Sequence, residues 1–261
     1  AVRGGVAAGE AAVRADPDRA RAVLEGWLLG QGGGSAVADL LFGAVNPSGR
    51  LAETMPVRHA DNPTIGSFPG EFGAVRYGEG LLIGYRWYDA HRLEVSYPFG
   101  HGLSYTRFEY TDLTTDVLAV GSPAGLVEVA LTVTNTGARS GRETVQVYVA
   151  DPESSVYRPD QELKGFAQVS LEPGASARVS LTLDARAFSF WHVPLHRWVV
   201  EGGSFEIRVG ASSRDLRLTA TVHLAGDEIT PPLSPQSPAS AWLNHPVAGP
   251  RLRAQLGSGN V

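Results

Sequence analysis

The sequence predicts two fold classes in series, an α/β layer followed by an all-β antiparallel sandwich. From Glu25 to Gly43 an apolar run, a glycine cluster and a helix pattern with one apolar face follow one another, which is the strand, turn, helix order of an α/β layer with a parallel sheet. From about Phe108 to Leu224 the pattern changes to short stretches of alternating apolar and polar residues separated by turn residues, the period of half-buried strands. A third stretch opens with Pro231-Pro232-Leu233-Ser234-Pro235 and Pro238, too rich in proline for a regular element. The expected divisions are residues 1–107, 108–225 and 226–261.

Along the first division, residues 1–16 are rich in Ala, Gly and Arg without a clean period. Asp16-Pro17-Asp18 reads as a helix cap with proline at the first helical position, which predicts a helix from about Pro17 to Leu24. Trp27-Leu28-Leu29 predicts a short buried strand over Glu25–Leu29, closed by Gly30-Gln31-Gly32-Gly33-Gly34. Ser35 is placed to cap a helix with Ala36, Val37, Leu40 and Leu41 on one face, and Gly43 ends it. Asn46-Pro47-Ser48-Gly49-Arg50-Leu51 reads as a tight turn into an extended piece ending at Pro56. The stretch from Val57 to Arg76 carries Pro63, Gly66, Pro69, Gly70 and Gly73 without periodicity; a long loop of this kind inside a compact domain is a functional candidate. Tyr77 to Asp89 has the apolar and aromatic density of a buried element, and Pro98-Phe99-Gly100-His101-Gly102 makes an exit turn.

In the second division Leu126 to Thr134 alternates and turns at Asn135-Thr136-Gly137, and Glu143 to Val149 alternates with Val145, Val147 and Val149 on one face. Gly174 precedes Ala177 to Leu183, Gly202-Gly203 precedes Ser204 to Val209, and Leu216 to Leu224 supplies a last strand. About seven strands of this kind fit an immunoglobulin-like or fibronectin type III-like sandwich. In the third division, Ser240-Ala241-Trp242-Leu243 and Val247 to Leu256 are expected to form a short amphipathic helix docking by Trp242, Leu243 and Leu252, with Gly257 to Val261 disordered.

Composition narrows the function classes. The 261 residues carry a formal net charge of −5 with Lys and Arg spread rather than clustered, so neither nucleic acid nor an anionic membrane is an expected partner. The absence of Cys removes disulfides, thiolate nucleophiles and Cys-based metal sites together. Ala1 to Glu10 lacks the apolar core of a signal peptide, and no run reaches the length of a membrane span. Redox chemistry does not fix the compartment; a soluble chain, cytoplasmic rather than exported, is the expectation.

Several blocks together resemble glycoside hydrolase family 3, the retaining β-glucosidase group. Glu25 to Gly34, Ala38 to Gly43 and Asn46 to Leu51 look like the end of that family's α/β sandwich domain, and Tyr77 to Asp89 with Pro98 to Thr106 look like its exit. Arg158-Pro159-Asp160-Gln161-Glu162-Leu163-Lys164-Gly165-Phe166 and Gly202 to Ser213 are similar to the signature of its fibronectin-like domain. The resemblance implies a partial α/β sandwich domain, a fibronectin type III-like domain and a C-terminal extension. It also implies hydrolysis of terminal β-glycosides with retention, by two carboxylates about 5–5.5 Å apart. It places the nucleophile in a barrel domain this chain lacks and the acid/base Glu upstream of its start, so no catalytic residue is expected here and the chain alone is expected to be inactive. A β-linked glycoside or oligosaccharide and the missing barrel domain are the implied partners. A non-catalytic carbohydrate-binding or structural module is the alternative, and an enzyme assembled from separately encoded parts a third reading.

The expected substrate-binding residues are Phe68, Glu71, Tyr77 and Glu79. Phe68 and Trp87 are candidates to stack on a sugar ring, although large aromatics are more often core. Glu79 is the carboxylate most tempting to name as catalytic, but without a partner it reads better as the brace of a turn between two glycines. Nothing in the spacing of Glu53, Glu71 and Asp89 forces two of them onto one site. Gly32-Gly33-Gly34 ahead of a helix lacks a nucleotide-binding pattern. His192 and His196 stand four apart with Pro194 between them and no acidic third ligand nearby, so no metal is expected, and no cofactor. His101, between two glycines, is expected to fix a turn.

Overall fold

The computed structural model describes residues 22–118, 125–230 and 232–256. The expected helix from Pro17 and the tail from Gly257 therefore lie, apart from Ala22–Leu24, outside the described residues.

Helix α1, Gly33–Leu41, starts two residues before the expected cap: Gly32 precedes it without a side-chain cap and Ser35 lies inside the first turn. Its end is as expected, with Gly43 at φ 73° just past the cap residue Phe42. Glu25–Leu29 is not a strand. An apolar run becomes a strand only with a neighbour to pair with, and among the described residues none lies beside it; Trp27, Leu28 and Leu29 are exposed. Every strand pairing among the described residues is antiparallel, so the expected parallel sheet is not formed there.

The chain next runs through β1, Met55–Pro56, which pairs with β2, Val95–Tyr97. Leu51 continues that pairing, its N–H donating to the His101 carbonyl and its carbonyl accepting from Gly100 N–H, both at 2.8 Å. Asn46 holds three strands of chain: its Oδ1 accepts from Ser104 Oγ at 3.0 Å and Tyr105 N–H at 2.8 Å, and its Nδ2 donates to the Ser140 carbonyl at 3.0 Å. Between β1 and β2 lie a 3₁₀ turn, His59–Asp61, a long irregular loop and helix α2, Tyr85–Ala90.

Among the described residues the sandwich has seven strands in two sheets. One sheet has the order β3 (Phe108–Leu118), β4 (Leu126–Asn135), β7 (Ser176–Leu183); the other has the order β11 (Leu216–Leu224), β10 (Gly203–Gly210), β5 (Gly141–Ala150), β6 (Glu162–Leu171). Alternation decides the core. Val127, Val129, Leu131 and Val133 of β4, Val145 and Val147 of β5 and Ile207 and Val209 of β10 are wholly buried, while their neighbours in sequence point the other way or sit at the rim. Full burial of such a side chain is worth about 1.5–3 kcal/mol.

One end of the sandwich is closed by α3, Ala185–Phe188, whose Ala187 N–H is capped by Asp184 Oδ1 at 3.2 Å. Phe188 meets Phe205 edge to face, with centroids 5.3 Å apart. A hairpin of β8, Phe190–His192, and β9, Arg197–Val199, follows, turned by Val193–Leu195 and by His196 in the left-handed region. In the C-terminal stretch the expected single helix is two, α4 (Ala239–Asn244) and α5 (Ala248–Leu256). They pack on each other: Arg253 donates to the Leu243 carbonyl at 2.8 Å, and Gly249 has no Cβ to meet that same carbonyl.

Candidate functional site

The four expected substrate-binding residues share one loop, Thr64–Ile83. Asn62 starts it, its Oδ1 accepting from Thr64 N–H at 3.0 Å and Thr64 Oγ1 at 2.8 Å, an Asx turn. Phe68 N–H then donates to the Thr64 carbonyl at 2.9 Å, and Phe68 stands before a cis peptide bond to Pro69. Glu71 and Ala74 exchange backbone hydrogen bonds at 3.1 and 2.9 Å, closing a miniature hairpin. Gly70 is required there, because at φ 86° an added Cβ would collide with the Ala74 carbonyl.

Phe68, Glu71, Phe72 and Tyr77 are exposed, and Phe72 was not among the expected residues. Glu79 is half-buried and its Oε2 is buried without a hydrogen-bond partner. Among the described residues no hydrogen bond, ion pair or ring contact joins any two of the expected four. The buried element expected over Tyr77–Asp89 is therefore only partly buried. Tyr77, Leu81 and Ile83 are exposed, and the interior begins at Leu82 and continues with Tyr85 and Tyr88. Gly84, at φ 59° and ψ −129°, makes the break and starts α2.

Helix α2 anchors the loop to the sandwich. Tyr85 stacks on Phe99 with centroids 4.7 Å apart and meets Tyr148 edge to face at 6.2 Å. Burial pushes the Tyr85 phenol up. Its Oη accepts from Leu163 N–H at 2.8 Å, at a point where the β5–β6 register shifts so that Lys164 has no residue opposite. Arg86 pairs with Glu162 at 3.3 Å, and Asp89 with Arg214 at 2.8 Å. Burial raises the Asp89 carboxyl, and Arg214 opposes that shift. Trp87 packs over His91 at 3.8 Å, which makes it part of the helix surface rather than a platform. His101 stacks on Tyr97 at 5.3 Å, while its backbone, not its ring, makes the turn.

Glu162 is the centre of an ionic knot that the sequence reading did not single out. Lys164 Nζ lies 3.2 Å from it, Arg86 Nη2 3.3 Å and Arg158 Nη2 3.4 Å. Arg158 also donates to Asp151 Oδ2 and the Phe188 carbonyl, both at 3.0 Å. Burial alone would raise the Glu162 carboxyl, but Lys164, Arg86 and Arg158 together hold it below the usual range. The signal in the sequence was the block Arg158–Phe166, which holds Arg158, Glu162 and Lys164, whereas Arg86 and Asp151 lie outside it. His192 spends its ring nitrogen on Leu195 N–H at 3.2 Å, and among the described residues no group of three His, Asp or Glu is placed to hold a metal. Also among the described residues, no helix is long and apolar enough to cross a membrane.

Comparison with known proteins agrees with this architecture. The glycosyl hydrolase family 3 C-terminal domain matches residues 5–105, and the fibronectin type III-like domain matches residues 143–213. Thermostable β-glucosidase B of Acetivibrio thermocellus is 50% identical over 207 residues, covering 79% of this chain and 27% of that protein. An exo-α-(1→6)-L-arabinopyranosidase of Bifidobacterium breve is 45% identical over 242 residues, covering 93% of this chain and 31% of that protein. The chain thus spans about a third or less of the length of the curated relatives it matches. Among solved structures, a GH3 β-glucosidase of Bifidobacterium adolescentis superposes with a TM-score of 0.84 at 44% identity, over 92% of this chain and 35% of that one. β-Glucosidase 3B of Thermotoga neapolitana, solved with α-D-glucose, does so with a TM-score of 0.71 at 41% identity, over 77% of this chain and 28% of that one.

Proposed function

This chain belongs to glycosyl hydrolase family 3, and from that premise we propose that it works as the C-terminal part of a retaining β-glycosidase, completing the wall of its cleft rather than performing the chemistry. The observation that carries the reading is the loop Thr64–Ile83. It is bolted to the sandwich through Tyr85, Arg86 and Asp89, yet it turns Phe68, Phe72 and Tyr77 outward and leaves one oxygen of Glu79 without a partner. Phe68 and Tyr77 would supply stacking surfaces for a sugar ring, and Glu71 and Glu79 acceptors for its hydroxyls. The division of the chain at 107/108 and 225/226 is part of the same reading, as is a barrel domain packed against the exposed Trp27, Leu28, Leu41 and Phe42.

The relatives' names point to a substrate class. β-Glucosides and α-L-arabinopyranosides differ in ring substituents but share an equatorial glycosidic bond, and the proposed substrates are terminal glycosides of that geometry. The test is hydrolysis of aryl β-glucoside, β-xyloside and α-L-arabinopyranoside by the chain alone, by Glu79→Gln, and by the chain co-expressed with the barrel-containing part of a family 3 enzyme. No turnover alone and turnover on complementation, with KM raised by Phe68→Ala, is the expected result. Turnover by the chain alone that Glu79→Gln abolishes would overturn it and make Glu79 catalytic.

A further inference from the structure

A groove of about 910 Å³ opens on the sandwich between the ionic knot and the β8–β9 hairpin, on residues other than the loop's Phe68, Glu71, Tyr77 and Glu79. It is lined by Arg86, Arg158, Glu162 and Lys164 together with aromatic side chains. Trp191 and Trp198 face each other across the hairpin register, with rings at 69° and centroids 5.5 Å apart, and are 45% and 44% exposed; Tyr157, on the β5–β6 connection, is 69% exposed. Arg186 lies over the Trp198 ring and donates to Ser189 Oγ at 3.1 Å, which fixes that indole in place.

Three features select the ligand. The first is charge. Arg86, Arg158 and Lys164 all pair with Glu162, and Arg158 also with Asp151, while Arg186 is engaged by the Trp198 ring and Ser189 Oγ, so the cations lining the groove are already spent within the protein. A ligand with many hydroxyls and no charge can bridge Glu162 and Lys164 without breaking the knot, whereas an anion would have to compete with Glu162 for its cations. The second is the pairing of half-exposed indole and phenol faces with polar groups, which suits a molecule with flat C–H faces and equatorial hydroxyls. The third is size: about 300–1,000 Å³ is the range of pockets that take drug-sized ligands, and this groove lies at its upper end and is open to solvent, so it has room for several linked sugar rings. We propose that this groove binds an uncharged oligosaccharide chain, as a site to which the Thr64–Ile83 loop contributes Leu81 but none of Phe68, Glu71, Tyr77 and Glu79, and independent of whether the chain takes part in catalysis.

The experiment is calorimetric titration of the full chain with the tetrasaccharides of β-1,4-glucan, β-1,3-glucan and β-1,4-xylan, repeated with Tyr157→Ala, Trp191→Ala and Phe68→Ala. Thermal melts accompany each variant, and Tyr157→Ala, at an exposed position, guards against a loss that is only unfolding. Saturable binding of at least one tetrasaccharide is expected, weakened about tenfold by Tyr157→Ala and by Trp191→Ala and unchanged by Phe68→Ala. Three results would overturn the proposal: no saturable binding at millimolar concentrations, binding indifferent to both groove variants, or binding lost in Phe68→Ala. Because binding is read without turnover, its failure and the failure of the catalytic reading are separate outcomes.

Discussion

Arg50→Ala is the perturbation that most directly tests how the first part of the chain is held to the sandwich. Arg50 Nη2 lies 2.9 Å from Glu143 Oε2, and the two side chains are 9% and 3% exposed. The other carboxylate oxygen accepts from Tyr110 Oη at 2.8 Å, and burial together with the Glu143 charge pushes that phenol far up, so it remains a donor at any pH at which the protein is handled. Truncating Arg50 leaves a buried carboxylate held by one phenol. Removing one partner of a buried ion pair costs about 3–5 kcal/mol, and the surviving Tyr110 bond places this case near the lower end. At roughly 2–4 °C per kcal/mol for a chain of this size, Tm should fall by roughly 6–12 °C. Scanning calorimetry on wild type, Arg50→Ala, Glu143→Leu and the double variant closes a cycle, in which the double variant should recover much of the loss because no charge is then stranded. A fall in Tm of under about one degree for Arg50→Ala, or strict additivity around the cycle, would refute the argument that Glu143 is a buried anion depending on Arg50.

Two further outcomes are expected. Gly100→Ala places a side chain at φ 80° and against the amide of Gln146, whose Nε2 donates to the Gly100 carbonyl at 3.1 Å and the Ala211 carbonyl at 2.6 Å; a loss of about 2 kcal/mol or more should appear in urea unfolding, and an unchanged midpoint would sink the assignment. His101 has its pKa lowered by burial and by the nearby Arg50, so the native state resists its protonation while the unfolded state takes up a proton below about pH 6.5. Its contribution to stability is thus complete above that pH and declines as pH falls toward the native-state value; Tm measured across this window should drop less steeply in His101→Gln than in wild type.

Most of the sandwich was legible because its strands obey a strict period of two. Val145, Val147 and Val149 were expected on one face and are buried together, and Leu216–Leu224 has the bounds read from the sequence. Strand β6 was not read as a strand, since the shift at Lys164 breaks the parity of its alternation and Gly165 interrupts it. The hairpin β8–β9 was missed because Trp191 and Trp198 are exposed, so apolarity there does not report burial. Over Glu25–Leu29 the opposite error arose: three apolar residues suggested a strand, but pairing depends on a neighbour that a local pattern cannot supply. For the candidate site, the glycines and prolines of residues 57–76 marked the loop, whereas its anchors were invisible. Tyr85 finds its partner at Leu163 and Asp89 at Arg214, distances along the chain that no spacing rule connects.

The unpaired Lys164 in β6 gives the joint between the two parts of the molecule an unusual kind of address. What fixes the aim of α2, and of the loop behind it, is a count of backbone atoms in a neighbouring strand: one surplus residue turns the Leu163 amide toward Tyr85 instead of leaving it in a regular ladder. Substitutions at Lys164 that keep the backbone should leave that aim unchanged, whereas deleting the residue should preserve the sandwich and release the helix, an outcome that hydrogen exchange at Leu163 would report. Insertions and deletions, more than side-chain changes, are therefore the means by which an otherwise constant scaffold can point this loop in a new direction.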